Sequence, residues 1–248
     1  MQRFGSAYKR GLARPGKIPA LNSISGLLFW YDAADISTIT ISSGVSVSQW
    51  ADKSGNGFHA TQGTAARQPY TNTNTIAGKN VINFSNANQT YLLSSGSMQP
   101  NTMAMVWRSA VTPWPDYYGV ITARTSSATL TSNGAWNSGM QGVAATANIC
   151  GLGETSVGAW VNGNAVNAAN FDTYLSGVSS APITNTNLFV YTDDVLSAGA
   201  MYWGIGVDVY SIARCLNGDI AEIACWNRAL AQYELDIVTL NLRTKWGI

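Results

Sequence analysis

The 248-residue sequence predicts an all-β fold: a two-sheet antiparallel sandwich with one C-terminal helix, preceded by an extended basic N-terminal arm. Three observations predict it. Neutral polar residues dominate, with 24 Ser, 22 Thr, 21 Asn and 24 Gly, and these are the residues that satisfy turn geometry. Short apolar runs recur roughly every ten residues, the spacing of strands joined by turns. One segment near the end has helical periodicity. Charged residues make up only 11% of the chain, against roughly 25% in ordinary soluble proteins, which excludes a coiled coil or helical bundle. The 9 Trp, 11 Tyr and 6 Phe are ample core material and exclude a disordered chain. No apolar run approaches the roughly 18 residues of a membrane-spanning helix, so membrane insertion is not expected.

The elements follow in order. Residues 1–22 form the arm, in which Gly5, Gly11, Pro15, Gly16 and Pro19 preclude one continuous helix. Arg3, Lys9, Arg10, Arg14 and Lys17 give it five positive charges and no acid, so the formal +1 of the whole chain divides into +5 and −4. With Tyr8, these residues read as a docking peptide that orders on another protein. Residues 23–248 form one body. Gly26–Asp32 is an apolar run fit for a strand buried on both faces, and Val45–Trp50 alternates before the turn Asp52–Gly57. Further strands are expected at Val81–Phe84, Tyr91–Leu93, Met103–Arg108, Gly119–Thr122, Gly158–Asn162, Asn187–Thr192, Met201–Val207 and Asp219–Trp226. A helix is expected over Ala229–Lys245, where Leu230, Leu235, Val238 and Leu242 fall at helical spacing, with Asn227 as its cap.

Three cysteines, Cys150, Cys215 and Cys225, are too few for a disulfide framework and read as buried thiols. With a single His59 there is no Cys/His metal set. After the basic stretch, Asn22, Ser23, Ser25 and Gly26 interrupt any apolar signal region, so no secretory signal is expected.

Several spans carry a family likeness. Trp50-x-Asp52-x-Ser54-Gly55-Asn56-Gly57, Gly218-Asp219-Ile220-x-Glu222-Ile223, Asn227-Arg228-Ala229-Leu230 and Trp246-Gly247 resemble a concanavalin A-like, laminin-G-like lectin/glucanase domain. The resemblance covers roughly the first and last thirds of the body. It implies a jelly-roll sandwich of the kind found in bacterial surface and bacteriophage virion proteins, often as a carbohydrate-binding module. The same residues have scaffold roles: Asp52–Gly57 as a tight connection, Trp50 as its apolar anchor, and Asn217-Gly218 as a turn.

Chemistry is sparse. Glucanases of this shape carry carboxylates along one strand as E-x-D-x-x-E, and no such run is present. Asp219 and Glu222 are at odd spacing, which predicts opposite faces in a regular strand. Such a pair cannot share one glycosidic bond, so no enzyme and no catalytic residue is expected. Asp52 and Asn56 are weak calcium candidates; otherwise no metal or cofactor is expected. Sugar binding needs aromatic and amide groups with little charge. Trp114, Tyr117, Tyr118, Trp136 and Asn137 supply these, as glycan-binding or inter-subunit contacts. Trp160 and Trp203, inside strand-like runs, read as core.

Together these features lead to an expected bacteriophage structural protein. A lectin-like domain would be displayed on the virion surface as a tail adhesin or capsid decoration, assembled in the host cytoplasm and bound to other virion proteins through its arm. Adhesion to surface glycans is the expected role, a purely architectural role is the alternative, and a polysaccharide-degrading enzyme is the third reading. The body is not expected to bind nucleic acid, and homo-oligomerisation stays open.

Overall fold

A computed structural model describes residues 18–110, 118–124, 136–140, 158–161, 164–166, 186–192, 200–207 and 212–248. The strands are β1 (Leu27–Asp32), β2 (Ile39–Ser43), β3 (Ser46–Trp50), β4 (Ala60–Thr61), β5 (Thr75–Ile76), β6 (Lys79–Asn80), β7 (Ile82–Phe84) and β8 (Leu92–Ser94). They continue as β9 (Thr102–Ser109), β10 (Tyr118–Arg124), β11 (Trp136–Met140), β12 (Gly158–Val161), β13 (Asn164–Val166), β14 (Asn187–Thr192), β15 (Tyr202–Ile205) and β16 (Gly218–Trp226). One helix, α1 (Gln232–Trp246), follows. No helix among the described residues is long and apolar enough to cross a membrane.

The strands form two large antiparallel sheets. The first runs β1–β16–β9–β14–β12–β13, with β7 also on β16; the second runs β11–β10–β15–β8–β4–β3–β2. Strands β5 and β6 make a separate hairpin. One core lies between the sheets. Phe29, Tyr31, Met105, Trp107 and Ile223 of the first meet Val47, Trp50, Leu92, Ile121, Trp203 and Ile205 of the second. A second core lies outside the first sheet, where Ala104, Val106, Ala224 and Trp226 pack under Leu235, Val238, Leu242 and Trp246 of α1. Strands β9 and β16 are therefore covered on both faces, and all nine residues of β16 are buried. Trp203 is core, as its strand setting predicts; Trp160 lies on β12. Each fully buried Trp removes roughly 150–250 Å² from water, a gross gain of about 4–6 kcal/mol. Trp50, Trp107, Trp203, Trp226 and Trp246 are thus committed to the scaffold.

The segment Asp52–Gly57 closes the outer edge of β1. Asp52 Oδ1 accepts the Trp30 N–H at 2.8 Å, and Lys53 N–H donates to the Trp30 carbonyl at 2.8 Å. Ser54 Oγ and Asn56 Nδ2 donate to the Leu28 carbonyl, and Asn56 also to that of Leu27. An edge strand presents unpaired peptide groups, and this turn satisfies them with side chains. Gly55 and Gly57 have φ of 92° and 80°, which lets the chain reverse so tightly. Trp50 anchors it in the core, 5.5 Å from the Tyr31 ring.

Two local expectations need correction. Asn227 does not cap α1: the helix begins at Gln232, with Ala231 at its N-cap position. The first turn is closed instead at Ala231, whose N–H donates to Glu234 Oε2 at 2.9 Å. The helix ends at Gly247 with φ 70°, after Arg243 and Lys245 in its last turn. The body also begins earlier than residue 23. Leu21 is buried in the second core, and Asn241 Nδ2 on α1 donates to the Pro19 carbonyl at 2.7 Å. The arm residues Arg3, Tyr8, Lys9, Arg10, Arg14 and Lys17 lie outside the described residues.

Candidate functional site

Charge is concentrated in clusters built across distant elements. Asp32 ends β1 and is the register partner of Glu222 on β16. Lys245 of α1 reaches both, at 2.6 Å from Asp32 Oδ1 and 2.7 Å from Glu222 Oε2. Lys53 lies 2.8 Å from both Asp32 Oδ2 and Asp35 Oδ2. Trp30 Nε1 donates to Glu222 Oε1 and Trp246 Nε1 to Oε2, both at 2.7 Å. Burial pushes the Glu222 carboxyl up and Lys245 opposes it; the Lys53 ammonium holds Asp35 down. A second cluster joins Arg108 of β9 to Asp219 Oδ2, with Asn74 and Asn83 donating to Oδ1.

Asp219 and Glu222 do not diverge as their spacing predicts. A β-bulge lies between Ile220 and Glu222: Ile220 pairs with Trp107, yet Glu222 pairs with Val106. Ala221 is the extra residue. It restores phase, so both acids face away from the inter-sheet core, one toward Arg108 and one toward α1. They stay in separate clusters.

Asp52 and Asn56 serve the β1 edge. Asp52 accepts from Trp30 N, Ser54 N, Ser54 Oγ and Phe58 N, which fills the lone-pair directions of both oxygens. Asn56 presents its amide N–H groups to carbonyls. His59 Nδ1 accepts from Asp52 N at 3.1 Å. Among the described residues no group of three His, Cys, Asp or Glu side chains is arranged to hold a metal. Cys215 and Cys225 are buried, and burial pushes the Cys225 thiol well up.

The outer face of the second sheet is chemically different. Pairing register places Thr40, Gln49, Thr61, Leu93, Gly204 and Thr122 in one row across six strands. Their chain neighbours Trp50, Ala60, Leu92, Trp203, Ile205 and Ala123 belong to the inter-sheet core, so this row faces outward. Thr40 and Thr61 are exposed, Gln49 and Leu93 half-buried, and Gly204 and Thr122 buried. The row carries hydroxyls, one amide and one aliphatic side chain, without a charge. Sequence reasoning missed it because membership depends on register among six strands.

Asn137 continues the row as the register partner of Thr122, and Trp136 pairs with Ala123. Tyr118 opens β10 opposite Met140. Three of the predicted contact residues thus sit on the paired strands β10 and β11, at the end of the second sheet. Trp114 and Tyr117 lie outside the described residues.

No family model matches the chain, and no curated protein matches it significantly. Solved structures are similar to it over most of its length. Trypanosoma rangeli sialidase in complex with the inhibitor DANA has a TM-score of 0.46 and 12% identity, over 91% of this chain and 34% of that one. A second structure of Trypanosoma rangeli sialidase has a TM-score of 0.39 and 14% identity, over 92% and 34%. The chain therefore spans about a third of the sialidase chains, and the likeness concerns the fold alone. The neighbouring chains are sialidases, against the expectation of no enzyme, and no activity is carried over from them to this chain. One physical ground for that expectation, the divergence of Asp219 and Glu222, fails as well because of the bulge.

Proposed function

We propose that this chain is a lectin-like jelly-roll module that contacts neutral surface glycans through the outer face of its second sheet. The uncharged row Thr40–Gln49–Thr61–Leu93 carries this reading. Sugars are bound by hydroxyl and amide groups beside apolar surface, and the side chains of Thr40, Gln49 and Thr61 have no hydrogen-bond partner among the described residues. By contrast, every described carboxylate already accepts hydrogen bonds from the protein. Attachment to a bacteriophage virion through Arg3, Tyr8, Lys9, Arg10, Arg14 and Lys17 belongs to the same proposal, supported by the basic arm and the sequence resemblance. A glycan array probed with the folded chain tests the binding role. Signals confined to neutral oligosaccharides are expected, and their absence across the array would remove it.

An architectural role has its own support. Ile36, Ile41 and Val45 are exposed around β2, which pairs only with β3 among the described residues. Solvent-facing apolar groups at a sheet edge suit contact with a neighbouring subunit. Ile41→Ser would then weaken self-association in sedimentation without changing glycan signals.

A further inference from the structure

We propose that Lys245 and Asp32 form an intramolecular isopeptide bond, with Glu222 as the proton shuttle and Lys53 holding the reacting carboxyl. Three features of the first sheet carry the proposal. The nucleophile and electrophile are in contact: Lys245 Nζ lies 2.6 Å from Asp32 Oδ1. A third carboxyl is placed to relay protons, because Glu222 Oε2 is 2.7 Å from the same Nζ and Glu222 is the cross-strand partner of Asp32. Finally, both carboxyls are buried, while the Lys245 side chain keeps 26% exposure. Glu222 is 1% and Asp32 4% exposed, the Trp30 and Trp246 indoles hold the two Glu222 oxygens, and Lys245 Nζ sits 5.1 Å from the Trp246 ring centroid.

The step balances without any co-reactant. A proton moves from the Lys245 ammonium to the Asp32 carboxylate through Glu222, leaving a neutral amine beside a neutral acid. The Nζ lone pair attacks Asp32 Cγ, and negative charge develops on Oδ2, where the Lys53 ammonium lies 2.8 Å away. Glu222 takes the second proton from nitrogen and gives it to Oδ1, which leaves as water as the C–O bond breaks. One amide bond forms, one water is released, and Glu222 ends as it began. The product would join the first strand of the body to its last helix, 213 residues apart, and so hold α1 covalently on the sheet.

Intact-mass spectrometry of the purified full chain tests this directly. The expected mass is that of the sequence less one water, with a branched peptide linking the Lys245 and Asp32 fragments after digestion. Glu222→Gln, which keeps the shape of the side chain and one acceptor oxygen for the indoles, is expected to restore the full mass while circular dichroism stays native. Lys245→Arg is expected to do the same. A folded wild-type chain at full mass, with both fragments recovered unlinked, would overturn the proposal. A link through Lys53 instead, or a water loss that survives Glu222→Gln, would overturn the assignment of roles.

Discussion

Replacing Asp52 by Ala removes the acceptor that closes the β1 edge. Four donors lose their partner: Trp30 N and Ser54 N at 2.8 Å, Ser54 Oγ at 2.7 Å and Phe58 N at 3.2 Å. The two groups of Ser54 lie on a loop whose tip is exposed and can turn to water. Trp30 N and Phe58 N are part-buried, and a donor left unsatisfied there costs up to about 1–3 kcal/mol. The expected loss is therefore up to about 2–6 kcal/mol, with Asp52→Asn losing less because one oxygen is kept. Urea unfolding measures it as a lower midpoint at unchanged slope. Calcium should leave the midpoint of the wild type where it is, since both Asp52 oxygens are already engaged. A loss below about 1 kcal/mol, or a calcium-dependent rise abolished by Asp52→Ala, would refute the edge-cap account.

Gly206 has φ 75°, and a Cβ there would overlap the buried Phe84 ring. Gly206→Ala should cost about 2–5 kcal/mol, from roughly 1–2 for left-handed backbone and 1–3 for overpacking; Gly63→Ala, with open space around it, should change the melting temperature little. Acid should weaken the fold through Asp35 and Glu234, whose carboxyls are held down by hydrogen bonds from Lys53 and Arg228. Their contribution is present above the unfolded carboxylate range, about pH 4, and is lost as pH falls through the depressed folded values. The double variant Asp35→Asn, Glu234→Gln should therefore show a flatter acid limb in urea titrations at descending pH; a limb as steep as that of the wild type would contradict the assignment.

Much of the strand order was legible because alternation and turn residues are local signals. Asn187–Thr192 matches β14 at both ends, and Asp219–Trp226 differs from β16 by one residue. What depended on three dimensions was not. A bulge at Ala221 leaves no mark in the alternation of an all-buried strand, so the faces of Asp219 and Glu222 came out wrong. The meeting of Asp32 with Lys245 requires the helix to fold back across the first sheet. Asn227 sits where a cap would be expected, but the helix starts four residues later than that cap requires. The turn at Asp52–Gly57 was recognised as a connection, whereas its part in closing the β1 edge needed the register of β1 against β16.

The proposed glycan role stands or falls with the outer face of the second sheet. Calorimetric titration of an array-positive neutral oligosaccharide into wild type and the double variant Gln49→Ala, Thr61→Ala tests it most directly. Two lost hydrogen bonds at about 0.5–1.5 kcal/mol each predict affinity weaker by roughly 5- to 150-fold, with the melting temperature unchanged. Equal affinity of the two proteins for the sugar would show that the binding surface lies elsewhere.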